Sequence, residues 1–200
     1  MERRLTSRGR QRRRQLMDVA AARFAERGYH PTSVAEIVRA IGVGKGVFYW
    51  YFSSKEALFL ELLREAQQDL RRSQSAAIGD EADPVRRIEL GIRASLSWLE
   101  EHRPLFKLFE FAATEDRFAP ALRRGQQVAV ADVVRHVKDG IVEGRIADGD
   151  PELLTYAVVG VINELARVVV HEQGAGDEVA DTAVAFCLQG LLGPARPLPV

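Results

Sequence analysis

Apolar residues recur at helical spacing almost from end to end of this chain, and the strict alternation of a half-buried strand is nearly absent. Leu16, Val19, Ala20 and Phe24 share one face of a helix predicted over residues 14–27, which Gly28 stops. Val34, Ile37, Val38 and Ile41 form the apolar face of a second, short helix, and Ser33 stands three residues before Glu36 at its start, the spacing of a capping box. Gly42 ends that helix. A third stretch, 43–52, turns Val43, Phe48 and Phe52 inward and leaves Lys45, Val47, Tyr49 and Trp50 outside. Ser53 with Glu56 repeats the capping spacing and opens a fourth helix, about 54–77, with Leu58, Leu62, Leu63 and Leu70 inward.

Beyond the polar break at 79–83 the pattern continues. Pro84, Pro104, Pro120 and Pro151 each stand where a helix starts, a position that tolerates the missing N–H. The segment 144–151 reads as a loop, and residues 177–192 as the last helix. The expectation is an all-α chain of about nine helices: a basic disordered arm at 1–11, a three-helix helix-turn-helix head at 12–53, and a helical bundle at 54–200.

Charge sharpens this division. Residues 1–55 hold twelve Lys/Arg against four Asp/Glu, and residues 56–200 hold sixteen against twenty-four, so a formally neutral chain is strongly basic at one end. Such an end faces a polyanion, because phosphate neutralisation supplies most non-specific DNA affinity. Seven arginines fall in the first fourteen residues, readable as an arm for the DNA backbone or minor groove, or as a solubilising tail. Lys55 falls in the first turn of the fourth helix, where a cation and free N–H groups together suit a phosphate.

Over residues 12–59 the chain resembles the DNA-binding region of the TetR family of transcriptional regulators, through AAARFAERGYHPTSV, then GVGKGVFYWYF, then SSKEALF. The resemblance implies that Thr32, Lys45, Gly46, Val47, Tyr49, Trp50, Tyr51 and Lys55 fall where that family touches bases or phosphates, with Ser33 beside them. Two positions depart from the pattern: Gly44 replaces a serine cap, and Val47 replaces a small or hydroxyl residue. A valine there meets a thymine methyl rather than a polar edge.

Residues 151–173 are apolar around much of a helix circumference. Leu154, Ala157, Val158, Val161 and Leu165 occupy one side, Val159, Ile162, Val168 and Val169 cover much of the rest, and Gly160 leaves room for a partner helix, more apolar surface than one small core uses. Leu154, Ala157, Gly160, Val161, Leu165 and Val168, with Glu164 on that helix and Val184, Cys187 and Leu188 on the last one, are the candidate interface of a two-fold homodimer, an arrangement that the resembled family shares and that suits a palindromic operator. Trp98, His102, Phe106, Phe109, Phe118, Gln126 and Asn163 are readable either as core and surface or as an effector pocket for a small apolar or aromatic molecule. Glu164 and Arg167, three apart, form either an interface ion pair or part of that pocket.

Catalysis, metals and cofactors are not expected. The four histidines are far apart, no paired Cys/His spacing occurs, and GVGKG lacks the form of a P-loop. Cys187 is the one cysteine, so no intrachain disulfide forms, in keeping with the cytoplasm. Residues 15–28 are amphipathic rather than a signal, and no run of 18 apolar residues spans a membrane. The function implied is a ligand-responsive transcriptional repressor on double-stranded DNA, with a non-specific DNA-compacting protein as the alternative.

Overall fold

The computed structural model describes residues 6–171 and 176–193. Among them lie nine helices and no strand: α1 (Ser7–Arg27), α2 (Val34–Ala40), α3 (Lys45–Tyr51), α4 (Lys55–Ile78), α5 (Pro84–Glu101), α6 (Arg103–Thr114), α7 (Ala119–Val142), α8 (Pro151–His171) and α9 (Gly176–Leu192). The all-α class and the order of elements agree with the sequence pattern.

The N-terminus departs from it. Helix α1 begins at Ser7, seven residues before the predicted start, and Thr6 caps it by accepting the Gly9 N–H at 3.2 Å. Residues 7–11 of the expected arm are therefore helical, and residues 1–5 lie outside the described residues. Arginine is a good helix former, and partners hold these side chains in place. Arg14 pairs with Asp18 one turn on at 2.9 Å. Arg13 pairs with Glu61 at 2.7 Å and Glu65 at 3.0 Å on α4, and lies over the Phe52 ring at 5.3 Å. Its charge is spent on joining α1 to α4 rather than on DNA.

The chain divides into two compact units, Met1–Ala66 with Pro104–Leu122, and Gln67–Arg103 with Arg123–Val200. The division falls within α4, after Ala66, whereas the sequence pattern put it between α3 and α4. In the first unit, Leu16, Met17, Phe24, Ile37, Phe48, Leu58, Phe59 and Leu63 are buried together with Leu108 and Ala112 of α6. Burying a side chain such as Phe48 or Phe59 contributes about 2 kcal/mol of transfer free energy. Tyr29 sits among four aromatic rings, with centroids 5.3 Å from Phe24, 5.0 Å from Phe59, 5.5 Å from Phe111 and 5.1 Å from Phe118.

In the second unit, α5 packs on α8 and α9, and α8 on α9. The tail of α4 is held there by polar contacts. Asp69 accepts the Trp98 indole N–H at 2.9 Å, Gln74 donates to the Ser95 hydroxyl at 2.8 Å, and Arg71 pairs with Asp132 at 2.7 Å. Helix α8 is long and apolar enough to cross a bilayer by length and composition, although most of it is not buried within the protomer.

Candidate nucleic-acid interface

The head is built from two glycine-stopped helices and a third that they present. Gly28, at φ +89°, closes α1 by donating its N–H to the Phe24 carbonyl at 2.9 Å. The chain then turns through Tyr29, His30 and Pro31 to Ser33, the cap of α2. The Ser33 hydroxyl accepts the Glu36 N–H at 3.2 Å, and the Glu36 carboxylate takes the Ser33 N–H at 2.7 Å, which completes the capping box read from the sequence. Those donors from Ser33, backbone first and then the hydroxyl, hold the Glu36 carboxyl below its ordinary range. At the other end Gly42, at φ +67°, reverses the chain, and the Val43 N–H reaches back to the Val38 carbonyl at 3.0 Å. Gly44 caps α3 with no side-chain bond, as its replacement of a serine implies.

Helix α3 presents two faces. Phe48 is fully buried, and Phe52 is buried at its C-terminal cap. Tyr49 and Trp50 stand 55% and 53% exposed on the opposite side, which is unusual for such large rings and leaves them open to a partner. Lys45 and Gly46 are exposed at its first turn, and nothing lies within 4 Å of where a Gly46 Cβ would sit. Val47 and Tyr51 are half-buried, the latter edge-on to Trp50 at 4.5 Å. A shallow groove lined by Ala35, Val38, Arg39, Gly42, Val43, Gly44 and Lys45 runs between α2 and α3, with both cations exposed.

Two of the expected contact residues turn inward in this structure. Thr32 is 1% exposed, and its hydroxyl donates to the carbonyls of Gly28 at 2.9 Å and Arg23 at 3.3 Å. It is a turn lock, not an outward donor. The Lys55 ammonium points back to the same turn and donates to the carbonyls of Tyr29 at 2.8 Å and Thr32 at 2.9 Å, and to His30 at 3.4 Å. Burial is the main cause that lowers the pKa of Lys55. The capping serine of α4 is Ser54, which accepts the Ala57 N–H at 3.0 Å, one residue later than Ser53.

The body residues separate in several ways. Trp98 is buried and stacks on His102 with ring centroids 4.3 Å apart, both in the second unit. Phe106, Phe109 and Phe118 belong to the first unit, and Phe118, at 0% exposure, fills its core. Gln126 and Asn163 lie on exposed faces of the protomer. On α8, Ala157, Gly160 and Glu164 are exposed and Leu154, Val161, Leu165 and Val168 half-buried. Val184 and Cys187 are buried within the protomer, while Leu188 is half-buried. The face of α9 turned away from that core carries Phe186, 67% exposed, and α8 adds Leu153 and Tyr156. Glu164 and Arg167 approach to 3.7 Å, both well exposed.

Two short helices joined by a glycine turn, with the second presenting lysine and aromatic side chains, define a helix-turn-helix DNA-binding protein. The family model described as "Bacterial regulatory proteins, tetR family" matches residues 16–62. The transcriptional repressor Rv1474c of Mycobacterium tuberculosis is 32% identical over 182 residues, covering 78% of this chain and 94% of that protein. The repressor KstR2 of Rhodococcus jostii is 26% identical over 191 residues and 92% of each chain. The match to the regulator YdgC of Bacillus subtilis, at 31% identity, spans 56% of this chain and 59% of that protein. The solved structure of the fatty acid degradation regulator FadR from Bacillus halodurans shares the fold, with a TM-score of 0.82 at 18% identity over 90% of this chain and 96% of that one. The chain belongs to the TetR family, and is a helix-turn-helix transcriptional regulator.

Proposed function

We propose that the protein represses transcription as a homodimer on a palindromic operator and is released by a small molecule, apolar or aromatic, bound in its helical segment 54–200. The observation that carries the reading is the outward face of α3, where Lys45, the bare Gly46 backbone, Tyr49 and Trp50 are open together beside the exposed Arg39 of α2. Lys45 and Gly46 reach base edges, Trp50 and Val47 offer apolar contact to thymine methyls, and Tyr49 and Tyr51 take phosphates. Ser33, exposed at the start of α2 with its N–H and hydroxyl both given to Glu36, holds the start of that helix beside the phosphate contact.

The second head comes from a second copy packed on α8 and α9. Leu153, Tyr156 and Gly160 on α8 and Phe186 and Leu192 on α9 are the apolar surface it covers. Gly160 meets nothing in its own protomer, which leaves room for a partner helix to approach closely. Two-fold symmetry then sets the heads on half-sites about 34–36 Å apart or a multiple of it. Effector binding shifts α4 and so the separation of the heads, and a hundredfold loss of operator affinity needs only about 2.7 kcal/mol of differential binding. The repressors Rv1474c and KstR2 support the sign of the output. The protein acts in the cytoplasm, where the DNA is.

Selection of bound fragments from a random duplex pool tests this, followed by a thermal-shift screen of apolar metabolites and a release assay with each hit. The expected result is a palindrome, and at least one hit that frees the protein from it. Recovery of fragments without common sequence favours the compacting alternative.

A further inference from the structure

The ammonium of Lys55 has three N–H donors, and three backbone carbonyls of one turn take them, those of Tyr29, His30 and Thr32 at 2.8, 3.4 and 2.9 Å. No donor is left for a phosphate. The ammonium also stands 4.2 Å from the centroid of the Tyr29 ring, where the π face attracts a cation. A lysine in the first turn of α4 faces the positive end of the helix dipole, and the carbonyls offset that repulsion. The same turn is fixed from its other side by the Thr32 hydroxyl on Gly28 and Arg23. The residue that follows it is Ser33, the cap of α2.

We propose that Lys55 is a positioning residue of the DNA-binding head: it ties the α1–α2 turn to the start of α4, so placing the capped start of α2 against the duplex, and neutralises no phosphate itself. This rests on the DNA-binding reading of the head. The consequence is thermodynamic, because a residue that neutralises a phosphate contributes to the salt dependence of binding and a residue that places a helix does not. Arginine discriminates further. A guanidinium keeps the charge that a phosphate needs, but its planar fork does not match three carbonyls gathered round a point.

The test measures binding of the full-length wild type, Lys55→Met and Lys55→Arg to a random-sequence 30-bp duplex over a range of KCl concentrations, at a temperature where each is folded and dimeric by sedimentation. Both variants are expected to bind at least tenfold more weakly, with the slope of log K against log salt unchanged within about 0.3. A slope smaller in magnitude by about 0.9 per protomer in Lys55→Met, restored by Lys55→Arg, overturns the proposal and makes Lys55 a phosphate contact. A folded Lys55→Met with wild-type affinity also overturns it, since Lys55 would then serve stability alone. Should Lys55→Met not fold, Lys55→Arg decides: wild-type affinity refutes the proposal, and weak binding at wild-type slope supports it. Failure of the underlying reading is distinct, because the wild type itself would then not bind duplex.

Discussion

Replacing Gly28 with alanine is expected to destabilise the protein through backbone strain alone. Gly28 sits at φ +89°, ψ +161°, in a region that only glycine occupies readily. A Cβ built there meets nothing closer than Pro31 Cδ at 3.7 Å, an ordinary contact, so steric crowding contributes little. Relaxing the strain requires φ to change, which pulls the N–H from the Phe24 carbonyl and the carbonyl from the Thr32 hydroxyl. Strain of this kind costs about 1–3 kcal/mol. For a chain of this size that lowers Tm by roughly 2–12 °C. Gly42 is the control. Its φ of +67° lies in the left-handed region that asparagine tolerates, and no atom lies within 4 Å of its Cβ position. Gly42→Asn therefore costs less than about 1 kcal/mol. Circular-dichroism melts at one fixed protein concentration compare the two, since dimerisation makes Tm concentration-dependent. A Gly28→Ala variant as stable as wild type would refute the argument, as would equal losses for Gly28→Ala and Gly42→Asn.

Two further outcomes are expected. Phe186→Glu, at an exposed site on α9, yields a monomer by sedimentation, whereas Cys187→Ser stays dimeric and loses about 1 kcal/mol of stability, because a hydroxyl replaces a buried thiol; a dimeric Phe186→Glu would refute this placement of the interface. Burial, then the neighbouring cations Arg87 and Arg135, lower the pKa of His136, whose Nδ1 lies 3.3 Å from an Arg87 guanidinium nitrogen. With the folded value depressed, the contribution of His136 is complete above its unfolded pKa of about 6.5 and is lost as pH falls through the lower folded value. Wild type therefore loses more stability than His136→Gln between pH 7.5 and 5, measured by urea unfolding, and parallel losses in the two proteins would refute the linkage.

The head was legible in the sequence because its information is local. Ser33, Glu36, Gly28 and Gly42 act on residues within one turn of themselves, and the inward Phe48 and outward Tyr49 and Trp50 follow from helix geometry alone. What a sequence pattern does not carry depends on partners distant in the chain. The arginine run reads as a free arm because Glu61 and Glu65, which hold Arg13, lie about fifty residues on. The carbonyls that Lys55 reaches lie 23–26 residues upstream, so its inward turn has no local signature. On α9, hydrophobicity marks two apolar faces, one with Val184 and Cys187 and one with Phe186, without saying which of them the protomer's own core uses. Among the aromatics, Phe118 is core because it meets Tyr29 and Phe59, a meeting set by tertiary packing.

The central claim is that two copies of this head read one palindrome. Its most direct measurement is the affinity of the purified protein for the selected palindrome against a random duplex of equal length, with stoichiometry, at physiological salt. A preference of at least about 10³ with an even number of protomers bound, lost when one half-site is scrambled, is the predicted result. A ratio near one, or full affinity for a single half-site, contradicts it.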